Sequence, residues 1–102
     1  HHTFLCIGAG APAFDHAAFE VEDTDSLMLG HDHLEQAGTY QHHAGIGRHV
    51  LGSQVFDYWK DPWGHVMEHF TDGDLINAQA ETGFADPSVV LGTQWGSFLA
   101  EP

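Results

Sequence analysis

Residues 53–70, with the sequence SQVFDYWKDPWGHVMEHF, constrain the fold more than any other part of this chain. Two runs of alternating side chains flank DPWG at 61–64, which is a strong turn signal. Because successive side chains of a strand point to opposite faces, Tyr58 and Glu68 each fall on a defined face. An antiparallel hairpin through this turn points both side chains inward. The sequence therefore predicts a hairpin with two polar groups on its inner face.

The rest of the chain supplies elements of both kinds. A strand is predicted over 13–21, a helix over 23–38 and a short strand interrupted by glycines over 39–51. The helix has residues suited to an N-cap before its first turn and a glycine suited to its end. Residues 71–102 have few periodic features and are predicted to wrap the outside as a tail. From residue 13 the predicted order is strand, helix, then three strands.

The composition excludes several classes of partner. With 102 residues, 42% of them hydrophobic, the chain fits one small globular domain. Fifteen acidic residues against two basic ones, a formal net charge of −13, argue against nucleic acid or an anionic membrane as a partner. No apolar run approaches the roughly 20 residues of a membrane span. The single cysteine, Cys6, rules out an internal disulfide and is compatible with a reducing cytoplasm, where we expect the protein.

Several ordered motifs carry a resemblance to a known family. They are HHTF at 1–4, FDHAAFEV at 14–21, GRH at 47–49 and FDYWKDPWGHVMEHFTDGD at 56–74. In this order and spacing they resemble the C-terminal catalytic half of the type I extradiol ring-cleavage dioxygenases. Members include the 2,3-dihydroxybiphenyl and catechol 2,3-dioxygenases of the vicinal oxygen chelate superfamily. The closing GTQWG at 92–96 is also similar to the tail of that family.

The resemblance implies an α+β fold built on one βαβββ module over residues 11–72. Residues 1–10 are expected to be the last strand of a preceding module with its connector, and residues 73–102 an irregular tail. Family members curve two such modules together to form a cup around the metal, so we expect the concave face of this sheet to require a partner. The apolar side chains predicted to line that face are Phe14, Phe56, Val66 and Phe70.

The resemblance also implies roles for individual side chains. In the family a metal ion, usually Fe(II) and alternatively Mn(II), is held by two histidines and one glutamate. His16 falls on the second histidine ligand and Glu68 on the glutamate, while the first histidine ligand belongs to a strand upstream of this sequence. His2 falls on the acid–base histidine. His49 and Tyr58 fall on the two groups that hydrogen-bond the oxygens of the substrate.

The chemistry of ring cleavage explains why such a set is useful. Two neutral imidazoles and one carboxylate on one face of a metal leave open positions for a diolate and O₂. A histidine that titrates near neutrality, such as His2, can accept a proton from the catechol and return it later. Alternation places the small Ala18 beside His16, which leaves room next to a ligand.

Each of these side chains also has an ordinary structural interpretation. A histidine in a strand is more often a structural residue than a ligand, so His16 alone does not establish a metal site. Tyr58 can be a half-buried strand aromatic, and His49 can sit in a glycine-rich bend. The remaining histidines after the first two residues are predicted to be solvated or to support the site from outside. They are His31, His33, His42, His43, His65 and His69.

Three functions compete on this sequence. The first is extradiol cleavage of a catechol-type diol by O₂, with the site completed by a longer chain or a partner. The second is a glyoxalase-type isomerase or lyase, in which a symmetric homodimer places His16 and Glu68 of both chains around one Zn, Ni, Fe or Mn ion. The third is a non-catalytic module that binds aromatic ligands. The trio His2, His49 and Tyr58 favours the first, although the absent first histidine disfavours activity of the isolated chain.

Overall fold

A five-stranded sheet carries the fold of this computed structural model, which describes residue 10 and residues 12–96. Its strands, in the spatial order β1-β4-β3-β2-β5, are accompanied by two helices. The bounds are β1 His16–Glu20, α1 Thr24–Ala37, β2 Gln41–His49, β3 Val55–Lys60, β4 Val66–Thr71, α2 Pro87–Leu91 and β5 Thr93–Gly96. The α+β class and the predicted order of strand, helix and three strands are confirmed.

The predicted hairpin is formed by β3 and β4. The amide of Gly64 donates to the carbonyl oxygen of Asp61 at 3.0 Å and closes the turn. The Asp61 carboxylate accepts from the amides of Trp63 and His65 at 2.9 and 2.8 Å, which fixes the loop locally. Tyr58 lies directly opposite Glu68 in the antiparallel register, so the two side chains share one face, as the turn and the alternation predicted.

A parallel pairing brings β1 alongside β4. Ala18 is opposite Glu68 in this register, and His16 is opposite Val66. Side chains two residues apart in a strand share a face, so His16 and Glu68 are diagonal neighbours on one face. The parallel register of β1 on β4 therefore decides which side chain reaches Glu68.

Helix α1 covers the opposite face of the sheet. The Asp23 carboxylate accepts from the amide of Ser26 at 2.7 Å and caps its start. Gly38 ends it with a φ of 70°, in the left-handed region that glycine adopts without strain. Leu27 is buried against β3 and β4, and His31 lies one turn further along the same side of the helix. No helix in the described part of the chain is long and apolar enough to cross a membrane.

The tail departs in part from the expected irregular structure. Its last described residues form β5, which pairs antiparallel with β2, with Gly47 opposite Gly96. An otherwise unpaired edge of β2 explains this addition, because its free N–H and C=O groups offer partners to any extended segment. A four-residue strand has too little periodicity to be recognised from sequence. The strand predicted over 1–10 falls almost entirely outside the described residues, and the proposed boundaries of 11–72 remain a prediction.

The apolar lining of the site face also needs one correction. Phe56, predicted to line an exposed concave surface, is fully buried beneath the ring of His49, with ring centroids 4.2 Å apart. Phe14 is 72% exposed, whereas Val66 packs partly against the core cluster formed by Ala44, Phe56 and Tyr58. The exposed apolar surface is therefore smaller than the alternation alone predicted.

The contact between β2 and the Phe56 ring generates a prediction about stability. A Cβ atom at Gly47 would lie 2.8 Å from Phe56 Cζ and 2.9 Å from the Trp95 carbonyl oxygen. We expect Gly47→Ala to lower the free energy of unfolding by about 1–3 kcal/mol, as overpacking does. A Cβ atom at Gly30 in α1 would meet nothing within 4 Å, so Gly30→Ala should raise the free energy of unfolding by about 0.5–1 kcal/mol. Urea unfolding measures both, and equal effects would contradict the close approach.

Candidate metal and substrate site

Four polar side chains meet on the face of the sheet that α1 leaves open. Glu68 of β4 is 2% exposed and lies at their centre. Its Oε1 is 2.8 Å from His16 Nε2, and its Oε2 is 3.0 Å from His49 Nε2. The Tyr58 hydroxyl is 3.1 Å from the same nitrogen of His49. The structure thus brings together every predicted site residue except His2, which lies outside the described residues.

A bulge in β2 places His49 on this face. Ala44 is opposite Tyr58, so strict alternation would turn a side chain five residues later to the other face. The register shifts by one residue between Gly45 and Gly47, which adds a residue to β2 and restores His49 to the side of Tyr58. The glycines that interrupt the predicted strand therefore have a positional role in the site.

Burial and hydrogen bonding act against each other on the Glu68 carboxylate. Burial favours its neutral form and by itself raises the pKa, but the hydrogen bonds with His16 and His49 outweigh burial and hold the pKa below its usual range. The hydrogen bond with Glu68 in turn raises the pKa of His16 above its ordinary value, against the effect of burial. Asp15 adds to that rise through its close contact with Nδ1 of His16. The site therefore holds a buried negative charge with donors around it.

The His16 and Glu68 donor atoms have the spacing that a metal ion requires. Two ligand atoms bound at about 2.0–2.2 Å and at right angles to each other lie about 3 Å apart. His16 Nε2 and Glu68 Oε1 are separated by 2.8 Å. Asp15 on Nδ1 supports the ring from behind, as carboxylates commonly do for histidines that bind metals. A metal site is plausible here, and the ligand assignment of these two residues stays a prediction that the spacing supports.

Tyr58 is held in its protonated form by its surroundings. The side chain is buried beside His49, with ring centroids 6.0 Å apart, and beside Phe56 at 5.3 Å. Burial first, and the negative charge of Glu68 next, raise the pKa of the Tyr58 phenol far above its ordinary value. The hydroxyl is therefore a persistent hydrogen-bond donor at the mouth of the site.

Two histidines that the sequence analysis placed in solvent or at the periphery are in fact paired with a buried carboxylate. His31 Nδ1 lies 3.0 Å from Oδ2 of Asp57, and His42 Nε2 lies 2.7 Å from Oδ1. This group is on the α1 side of the sheet, so it is separate from Glu68. A usable signal existed, because an aspartate at an inward strand position must find partners when it is buried. His33, His43 and His65 are exposed, as predicted.

Comparisons with known proteins agree with this fold. No protein-family model matches the chain. Over 78 residues, which are 76% of this chain and 24% of the relative, it is 40% identical to metapyrocatechase 2 of Cupriavidus necator. The Mn(II)-bound glyoxalase of Novosphingobium aromaticivorans matches with a TM-score of 0.62 and 27% identity, covering 91% of this chain and 33% of that one. A crystal structure of catechol 2,3-dioxygenase matches with a TM-score of 0.59 and 24% identity, covering 78% and 26%.

The fold matches the glyoxalase/dioxygenase module of the vicinal oxygen chelate superfamily. Within it, the sequence match to metapyrocatechase 2 confirms the resemblance to the extradiol ring-cleavage dioxygenases. The chain spans about a quarter of the length of that curated relative.

The environment of Tyr58 generates a prediction about titration. In metal-free Tyr40→Phe protein, whose remaining tyrosine is Tyr58, we expect absorbance titration to show no phenol ionising near the ordinary pH of about 10 while the protein stays folded. Because Tyr58 keeps its proton in the fold but loses it when unfolded, stability should fall as the pH rises above about 10. A normal midpoint in folded Tyr40→Phe protein would contradict the burial argument.

Proposed function

We propose that this chain forms one wall of an extradiol dioxygenase site, which cleaves a catechol-type aromatic diol with O₂ at a non-haem metal. One observation carries the proposal: three predicted site residues converge around the buried Glu68 carboxylate. His16 and His49 lie 2.8 and 3.0 Å from its oxygens, and the Tyr58 hydroxyl lies 3.1 Å from His49 Nε2. These are the residues that the family resemblance selected from sequence. The 40% identity to metapyrocatechase 2, that is, a catechol 2,3-dioxygenase, supports the reaction class.

His16 and Glu68 are the proposed ligands of the metal, together with a histidine from outside this sequence. Fe(II) suits such a set of two imidazoles and one carboxylate, and Mn(II) is the alternative, supported by the Mn(II)-bound structural neighbour. When bound, the cation supplies adjacent open positions at which a diol and dioxygen can be held together. Glu68 enters this site already ionised, because its hydrogen bonds keep its pKa low despite burial.

His49 and Tyr58 are the proposed contacts to the oxygens of the substrate. Tyr58 keeps its proton and donates its O–H to an oxygen bound beside Glu68. The Phe56 ring stacks on His49 and holds its imidazole in one orientation, with Nε2 3.0 Å from Glu68 Oε2. His2, which lies outside the described residues, keeps the proposed acid–base role.

The opposite wall is proposed to come from a second module, either in a longer chain or on a partner copy. Phe14 is 72% exposed, so apolar surface remains for such a partner to cover. A homo-oligomer that pairs the concave sheets is one way to supply it. A cytoplasmic location remains part of the proposal.

A glyoxalase-type dimer is the second candidate, favoured by the match to the Mn(II)-bound glyoxalase over 91% of this chain. In that arrangement two copies contribute His16 and Glu68 to one shared metal. Sedimentation and metal analysis separate the candidates, because the dimer requires one tightly bound metal for every two chains at this site.

A chimera tests the dioxygenase proposal without depending on what lies outside the sequence. The 78 matched residues of metapyrocatechase 2 are replaced by those of this chain, so that the remainder of that enzyme completes the site. We expect the Fe(II)-loaded chimera to convert catechol and O₂ to a yellow ring-fission product. Glu68→Gln should lower kcat by more than the roughly 100-fold that loss of an outer-shell metal partner costs.

His65→Gln is the matched control, because His65 is exposed and contacts Asp61 outside the site. This variant should keep the activity of the unsubstituted chimera. A folded chimera that binds iron without turnover, or that stays equally active with Glu68→Gln and His65→Gln, would sink the proposal.

A further inference from the structure

A second group of metal-ligating side chains lies on the α1 side of the sheet, away from Glu68. We call it the Asp57 cluster. Its ligand-type side chains are His31 of α1, His42 of β2 and Asp57 of β3, and Trp59 of β3 packs beside them. Asp57 is fully buried. Oδ1 of its carboxylate lies 2.7 Å from His42 Nε2, and Oδ2 lies 3.0 Å from His31 Nδ1. Trp59 Nε1 also donates to Oδ2, at 2.7 Å.

A buried carboxylate requires hydrogen-bond donors or a compensating positive charge. The chain has two Lys and Arg residues in all, Arg48 and Lys60. Arg48 pairs with Asp72 at 2.9 Å, and Lys60 lies three residues along β3 from Asp57, so alternation points it to the other face. Neither Arg48 nor Lys60 therefore reaches Asp57. Its carboxylate is balanced by the cluster side chains or by a cation that they bind.

The His31 ring is oriented as it is in many metal sites. Its Nδ1 faces Asp57, and its Nε2 lies 3.4 Å from Oε2 of Glu35, one helical turn away on the exposed side. A neutral imidazole has one N–H and one lone pair, so Nδ1 can offer its lone pair to a cation while the Nε2 N–H faces Glu35. An outer carboxylate that holds one ring nitrogen while the other binds metal is the usual second shell of such histidines.

We infer that His31 Nδ1, His42 Nε2 and the Asp57 carboxylate form a second divalent metal site, suited to a transition cation such as Zn²⁺. The three donor atoms lie within 4.8 Å of one another. A tetrahedral ion with bonds of about 2.0–2.1 Å places its ligands about 3.3 Å apart, so small side-chain movements suffice. Two imidazoles and one carboxylate suit Zn²⁺ better than Ca²⁺ or Mg²⁺, which prefer oxygen ligands.

The surroundings of the cluster suit a structural site with an entry path. The indole of Trp59 packs against both imidazoles, with ring centroids 4.6 Å from His42 and 5.6 Å from His31, and it covers the inner side. The His42 side chain is 32% exposed and leaves an opening to solvent. Because its ligands come from α1, β2 and β3, the ion ties the helix to two strands of the sheet.

Zn²⁺ titration of the metal-free chain at slightly alkaline pH tests the inference. We expect the wild type to bind one more tight equivalent of Zn²⁺ than His31→Gln or His42→Gln. Zn²⁺ should also raise the Tm of the wild type by more than it raises the Tm of either variant. His33→Gln, on an exposed position of the same helix, should behave as the wild type. His16→Gln should keep this equivalent, because His16 lies on the other face. Glu35→Gln should weaken it by about 10–100-fold, as loss of an outer carboxylate does.

Circular dichroism establishes folding before each titration, and the two histidine variants report independently if one of them unfolds. The inference is overturned if folded His31→Gln or His42→Gln binds as many tight equivalents as His33→Gln. It is also overturned if folded His16→Gln binds no tight Zn²⁺ equivalent, since the two histidines would then serve only as hydrogen-bond partners of Asp57.

Discussion

The buried charge of Glu68 organises this module. A carboxylate that is 2% exposed is stable only when hydrogen-bond donors reach both of its oxygens. His16 reaches one oxygen because β1 pairs parallel with β4, and His49 reaches the other because β2 and β4 flank β3. Four strands must therefore be in register before this one side chain is satisfied. The polar centre that suits a metal and a diol is the same centre that specifies the strand order.

The sheet separates two polar groups that use the same hairpin. Along β3, Tyr58 points to the Glu68 face, and Asp57 and Trp59 point to α1. Strand β2 also serves both faces, with His42 beside Asp57 and, beyond the bulge at Gly45, His49 beside Glu68. A positive φ of 118° at Gly45, where a Cβ would lie 2.9 Å from Asp57 Oδ1, shows why a glycine occupies that bulge.

Local patterns made much of this predictable from sequence. The DPWG turn and the alternation on either side of it specify the register that sets Tyr58 opposite Glu68. The Asp23 cap and the Gly38 stop follow from local chemistry in the same way. The burial of Phe56, the addition of β5 and the pairing of His31 with Asp57 depend on contacts between distant segments. Periodicity within one segment carries no information about such contacts, and the family resemblance supplied the metal and substrate roles.

The position of a bound metal tests the central claim most directly. Anomalous diffraction from crystals of the protein grown anaerobically with Fe(II) locates the ion without depending on turnover. We expect a peak about 2.0–2.3 Å from His16 Nε2 and from a Glu68 carboxylate oxygen, with His49 and Tyr58 beside it. Fe(II) found only elsewhere in well-ordered crystals, with His16 and Glu68 still bonded directly to each other, would contradict the account.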